Sequence, residues 1–149
     1  MAVETIVVGV DGSDCSVAAL RWALAEARLR NARVRVVHAW SFPHVSTYHE
    51  AAHVMTIPLA QVAEEGLDRV LAAVAADADG VAVDRAVVEG NAAGALVPEA
   101  AAAAAVLLVV GSHGLGGFGS LLLGSVSQQC AHHAPCPLVI VRATREQEG

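Results

Sequence analysis

Short apolar runs alternate with amphipathic stretches along the chain. Ile6 to Val10 is a continuous apolar run that ends in Asp11-Gly12-Ser13, the pattern of a strand buried on both faces. Ser13 or Asp14 can cap the helix that follows. In it Val17, Leu20, Leu24 and Ala27 share one face, while Arg21, Glu26, Arg28 and Arg30 sit mainly elsewhere. Val34 to Trp40 reads as a second strand. Ser41 to Thr56, which holds His44, His49 and His53, has no period and reads as a loop. Pro58 opens a second helix from the first-turn position that proline tolerates, with Leu59, Val62, Leu67, Val70, Leu71 and Val74 marking its buried side. Val81 to Val88 is a third strand. Ala92 to Ala104 is a third helix, which Pro98 is expected to kink or to shift at its start. Val106 to Val110 is a fourth strand, followed by a glycine-rich segment and a helix from about Ser125 to His133. Pro135 and Pro137 stop that helix, Leu138 to Val141 is a last strand, and the tail beyond Arg142 is polar.

Strand and helix thus alternate four times before a final strand. Such an order predicts an α/β fold, an open parallel five-stranded sheet of Rossmann-like type with helices on both faces. The length suits one domain over residues 1–149, with its core at about 5–142. In such sheets ligands bind at the carboxyl ends of strands, where the strand order reverses. Two loops leave strands there with binding chemistry, Asp11-Gly12-Ser13 and Gly111 to Ser127.

Composition narrows the ligand. Aromatic residues are only 3% of the chain, so the core is built from Val, Leu and Ala. The formal net charge is −6 and all nine basic residues are arginines. An acidic chain without a basic cluster is poorly suited to nucleic acid or to an anionic membrane. The apolar run from Ala100 to Val110 is too short to span a bilayer. Met1 to Val10 carries Glu4 and no basic segment, unlike a secretory signal, so a cytoplasmic protein is expected. Cys15, Cys130 and Cys136 are odd in number and lack zinc-ligand spacing.

Between Ala100 and Val141 there is no Asp, Glu, Lys or Arg. An anion bound there must be held by backbone N–H groups, hydroxyls and a helix N-terminus, a mode that suits phosphate. A Walker loop needs lysine, which the chain lacks. Gly114-Leu-Gly116-Gly117-Phe-Gly119 has the form of a dinucleotide fingerprint, but it follows the fourth strand and no acid lies about twenty residues on. From the glycines alone, a phosphate cradle and a loop whose glycines only serve turns are both open.

Three stretches resemble the universal stress protein family over roughly Thr5 to Arg142. Ile6-Val-Val-Gly-Val-Asp11-Gly-Ser13 looks like that family's first strand and loop. Gly111-Ser-His-Gly114, nine residues, then Gly124-Ser125 is similar to its ATP-binding pattern of spaced glycines. His133-Ala-Pro-Cys-Pro-Leu-Val-Ile-Val-Arg142 looks like its last helix-to-strand passage. The resemblance implies the fold of the adenine nucleotide alpha hydrolase-like class and ATP as ligand, with Mg²⁺ possible. It implies that Asp11 sits by the ribose or a phosphate-bound metal, with Ser13 in the same loop. Val10 and Ala39 would border adenine and ribose. Val110, Gly111, Ser112, His113 and Gly114 would run under the nucleotide, and Gly124, Ser125, Val126 and Ser127 would hold the phosphates. A homodimer through Leu138 to Val141 is also implied, which would cover an apolar edge. His113 stands where members often carry arginine, and Val106 where they often carry an acid.

Other residues have ordinary roles. His44, His49 and His53 could bind a metal, but three loop histidines without a ligand pattern read as surface. Cys15 lies in the first turn of a helix, where a thiol can be activated, and reads first as a small apolar residue, as do Cys130 and Cys136. His132 and His133 suit a helix C-terminus. No nucleophile–base set stands out and no cationic clamp for phosphoryl transfer is present. A nucleotide-dependent regulatory or stress-response dimer is therefore expected ahead of a slow ATPase or nucleotidyl-transfer enzyme, or of a nucleotide-free dimeric scaffold.

Overall fold

The apolar runs become strands. The computed structural model describes residues 2–41, 58–114 and 123–143. In chain order these form β1 (Thr5–Gly9), α1 (Asp14–Arg30), β2 (Arg33–Trp40), α2 (Leu59–Ala73), β3 (Val83–Glu89), α3 (Ala92–Ala102), β4 (Leu107–Gly111), α4 (Ser125–His133) and β5 (Leu138–Val141). The strands make one parallel sheet in the order β3-β2-β1-β4-β5. The chain steps outward from β1 through β2 to β3, crosses back through α3 to β4, and steps outward again to β5. Right-handed crossovers in opposite directions place their helices on opposite faces.

The side chains sort accordingly. Ile6, Val8, Val34, Val36 and Val109 pack with Leu20 and Leu24 of α1 and Leu67 of α2. Val7, Val37, Leu108 and Val110 pack on the other face with Leu96 of α3 and Cys130 of α4. Ile6, Val7, Val8, Leu108 and Val109 are fully buried, as expected of central strands covered on both faces. Each such side chain contributes about 1.5–3 kcal/mol of burial. Beneath the sheet's amino end, Arg35 donates to Glu99 of α3 at 2.8 Å, and Arg33 pairs with Asp84.

Several boundaries move by one or two residues from the sequence expectation. β1 ends at Gly9, yet the Val10 N–H still donates to the Val37 carbonyl at 2.9 Å. β3 begins at Val83 because the chain turns at Gly80, which has φ 79°. β4 is Leu107–Gly111 instead of starting at Val106. Val62, assigned by its spacing to the buried side of α2, is 48% exposed, and Ala63, Leu67 and Val70 carry the contact instead. Ser13 is the cap of α1. The loop histidines His44, His49 and His53 lie outside the described residues, as does most of the dinucleotide-like run.

Helix α3 starts at Ala92, capped by the Asn91 side chain on the Gly94 N–H at 2.7 Å, and continues through Pro98. Its start is not shifted. It ends two residues short of Ala104, because Ala104 takes a left-handed conformation with φ 48°. The Ala105 N–H then reaches back to the Ala100 carbonyl at 2.9 Å, the bonding that a glycine usually allows at this position. α1 closes in the same way on Asn31, φ 55°, a residue that tolerates the conformation better than alanine. Ala104→Gly is therefore expected to raise stability by about 0.5–1 kcal/mol in urea unfolding; a destabilised variant would show that this turn carries no strain.

Candidate functional site

The carboxyl ends of β1 and β4 lie side by side where the strand order reverses. α1 leaves β1 on one face and α4 follows β4 on the other, so the loops diverge and a crevice opens between them. It holds a cavity of about 400 Å³, within the ordinary range for a small-molecule site.

The β1 side is pinned by local hydrogen bonds. The Ser13 N–H donates to Asp11 Oδ1 at 2.9 Å, closing a turn of the kind aspartate favours. The Asp11 N–H donates to Ser16 Oγ at 3.2 Å, and that hydroxyl donates to the Ser13 carbonyl at 2.9 Å. Ser13 Oγ accepts from the Ser16 N–H at 3.3 Å as the helix cap. His38 Nδ1 lies 2.8 Å from the Val10 carbonyl; a carbonyl only accepts, so Nδ1 carries the proton.

On the β4 side the three spaced glycines each meet a neighbour. A Cβ on Gly111 would lie 2.8 Å from the Cys15 carbonyl carbon and Cβ and 2.9 Å from its oxygen. One on Gly114 would lie 2.6 Å from Asp11 Oδ2, and one on Gly124 3.3 Å from the Ser112 carbonyl. That carbonyl accepts from the Gly124 N–H at 2.6 Å and from Ser127 Oγ at 3.3 Å. Ser127 is 1% exposed and its hydroxyl also donates to the Gly124 carbonyl at 2.9 Å. The hydroxyl thus ties the two arms of the loop together. Ser112 is likewise buried, its Oγ 3.2 Å from His113 Nδ1 and 3.7 Å from Cys15 Sγ.

Helix α4 has Gly124 as its cap, which offers no side chain to its first-turn N–H groups. Those groups have no acceptor within the helix, and with the helix dipole they suit an anion. Ser125, at the first position, is exposed and adds a hydroxyl. Opposite, Val37, Ala39, Ala92 and Leu96 give the cavity an apolar wall. One end of the cavity is therefore apolar and the other presents N–H and O–H donors. The ionisable side chains among the described lining residues are Asp11 and His113.

Of the residues singled out from the sequence, Val10, Asp11, Ala39, Val110 to Gly114 and Gly124 to Ser127 all line this cavity. Ser13 does not; it caps α1 and donates to Asp11. Sequence reasoning missed Gly9, Ser16, Val37, Ala92 and Leu96. Ser16, three residues after the cap, carries a signal in hindsight, since that spacing brings its N–H onto the cap hydroxyl. Leu96 becomes a wall only because α3 crosses the sheet beside Gly9, where a Cβ would lie 2.6 Å from Leu96 Cδ1. Burial pushes the Cys130 and Cys136 thiols up, in keeping with packing roles.

The sequence matches the universal stress protein family over residues 2–142. It is 36% identical over 146 residues to a universal stress protein of Thermus aquaticus from the QAH/OAS sulfhydrylase 3′ region, covering 93% of this chain and 98% of that protein. A universal stress protein of Mycobacterium tuberculosis is 39% identical over 137 residues, 92% of this chain but 45% of its own length. The chain thus spans about half the length of the mycobacterial relatives it matches. UspA from Lactobacillus plantarum superposes with a TM-score of 0.79 at 20% identity, over 95% of this chain and 100% of that one, and shares the fold. A universal stress protein solved in complex with cAMP has a TM-score of 0.64 at 31% identity, over 97% and 100% of the two chains.

The glycine contacts make a direct prediction. Gly111→Ala must push apart backbone and is expected to cost about 2–3 kcal/mol, as overpacking does. Gly9→Ala meets only a leucine side chain that can rotate, and is expected to cost roughly half as much or less. Chemical denaturation of the two variants compares them; equal losses would refute the difference.

Proposed function

The chain belongs to the universal stress protein family, and on that footing we propose that it binds an adenine nucleotide, with ATP as its working ligand, and acts in the cytoplasm as a nucleotide-dependent regulatory homodimer. The observation that carries this reading is the cavity itself. An apolar wall of Val37, Ala39 and Leu96 faces the N-terminus of α4, capped by a glycine, across the switch point. A flat base suits the first and a phosphate the second. The cAMP complex of a protein 31% identical to this one supports the adenine class.

In this reading Val10 and Ala39 border base and ribose, Gly111 to Gly114 pass under the nucleotide, and the first turn of α4 with Ser125 holds phosphate. Mg²⁺ is ordinarily held by one or two carboxylates together with phosphate oxygens. Asp11 provides one carboxylate beside the loop, and no group of three His, Cys, Asp or Glu that could hold a metal occurs among the described residues. Mg²⁺ therefore fits as the partner of a bound triphosphate. The described lining residues include no arginine or lysine to stabilise a transferring phosphoryl group, which favours holding the nucleotide over consuming it.

The partner is a second copy. β5 is an edge strand of four partly buried residues. The carbonyls of Pro137 and Val141 accept from Leu108 and Ser112 of the β4 side. Residues alternate in direction along a strand, so Leu138 and Ile140 turn their backbone groups outward, toward a strand of another chain.

Calorimetry on protein stripped of co-purifying small molecules is expected to show one ATP per chain with Mg²⁺ present. Gly114→Val, which displaces the Asp11 carboxylate and fills the rim, should weaken it at least about 100-fold. Absence of heat with ATP, ADP and AMP alike would end the nucleotide reading. Ile140→Pro removes an outward N–H while sparing the ladder to β4, and is expected to yield a folded monomer by sedimentation and circular dichroism. A variant that sediments as the parent does would rule out this edge.

A further inference from the structure

The cavity is unusually poor in positive charge. Residues 36–68 and 100–141, which flank the crevice in the sequence, contain neither lysine nor arginine. The arginines near the sheet are engaged elsewhere: Arg33 with Asp84, Arg35 with Glu99 and Arg85 with Glu64 and Asp68. Arg142, which follows β5 at this end of the sheet, is not among the lining residues. Phosphate donors among the described lining residues are also few. The hydroxyls of Ser16 and Ser127 donate to carbonyls of their own loops, and Ser112 is buried beside His113. Among the described residues the first turn of α4 and Ser125 remain, enough for about one phosphate group. Asp11 stands next to that group, its Oδ2 crowding the only direction in which Gly114 could grow a side chain.

We propose that Asp11 makes triphosphate binding conditional on a divalent cation, so that without one the site takes a nucleoside monophosphate in preference to ATP. The inference rests on the nucleotide-binding reading above and adds its charge selectivity. A monophosphate places its charge on the α4 N-terminus, where it is matched. A triphosphate adds two anionic groups that meet no lysine or arginine among the described lining residues, close to a carboxylate. At separations of about 6–10 Å in a partly exposed site, one such charge pair is worth roughly tenfold in affinity. A divalent cation held between Asp11 and the phosphates reverses the sign of that contact.

The test is calorimetry with AMP and with ATP, each in EDTA and in excess Mg²⁺, on the parent protein and on Asp11→Asn. Asparagine keeps an oxygen to accept from the Ser13 N–H, and a thermal unfolding curve checks the fold. In EDTA the parent is expected to bind AMP at least about tenfold more tightly than ATP, and Mg²⁺ should abolish or invert that ratio. In Asp11→Asn the ATP-to-AMP ratio of dissociation constants in EDTA should fall about tenfold and the response to Mg²⁺ should shrink with it. ATP binding as tight as AMP in EDTA would overturn the proposal. So would an Asp11→Asn variant that weakens both nucleotides equally, the mark of a ribose contact, or one with an undiminished response to Mg²⁺. If neither nucleotide binds under any condition, the underlying nucleotide reading has failed instead.

Discussion

The end of β4 has to pass the first turn of α1 with no side chain between them. Parallel order puts β4 beside β1, and the helix that follows β1 begins at that same end of the sheet. A Cβ on Gly111 would press on the backbone of Cys15. Because glycine stands there, Ser112 can accept from Gly124 and Ser127, and Gly114 can lie against Asp11. The two loops are brought within reach of one ligand by backbone contact, before any ligand is considered. The spaced glycines therefore answer the demand for close packing of the protein on itself, and on the proposed reading they also leave a surface open to phosphate.

The same close packing explains where the hydroxyls went. The serines of the glycine pattern suggest a ring of donors turned toward phosphate, and that is how a motif is read when side-chain directions are unknown. In the folded chain Ser127 ties two loop arms together and Ser13 caps a helix, while Ser125 stays at the mouth. A buried hydroxyl that finds a carbonyl at 2.9 Å is satisfied and gains little by turning away. Among the described lining residues, the electrostatics of the site then rest on peptide dipoles and on one carboxylate, without a lysine or arginine.

Much of this was legible in the chain. Apolar runs such as Ile6 to Val8 and Leu107 to Val110 are strands because no other element buries both faces over so few residues. Alternation fixed their parallel sense, and the loops that carry Asp11 and Gly111 stood at strand ends. What periodicity could not supply was depth. Val62 has the spacing of a core residue but faces solvent, because α2 lies over β2 and the edge strand β3 and buries a narrower stripe. The start of α3 stayed at Ala92 despite Pro98, where tertiary packing of Leu96 and Ala100 outweighs a lost helical bond. The cavity wall from Leu96 and Val37 depended on which helix crosses which strand, information that resides in three dimensions alone.

The pairing of β1 with β4 also governs the order in which the protein comes into being. Ile6 lies opposite Leu107, about a hundred positions later in the chain. Contacts so distant in sequence form slowly, because the intervening chain must give up its freedom before they reward it. β1 and β2 can pair early, but the crevice does not exist until β4 has been synthesised and has found the centre of the sheet. On the proposed reading, a nucleotide would stabilise the finished protein by mass action while giving no help to its assembly from the amino terminus.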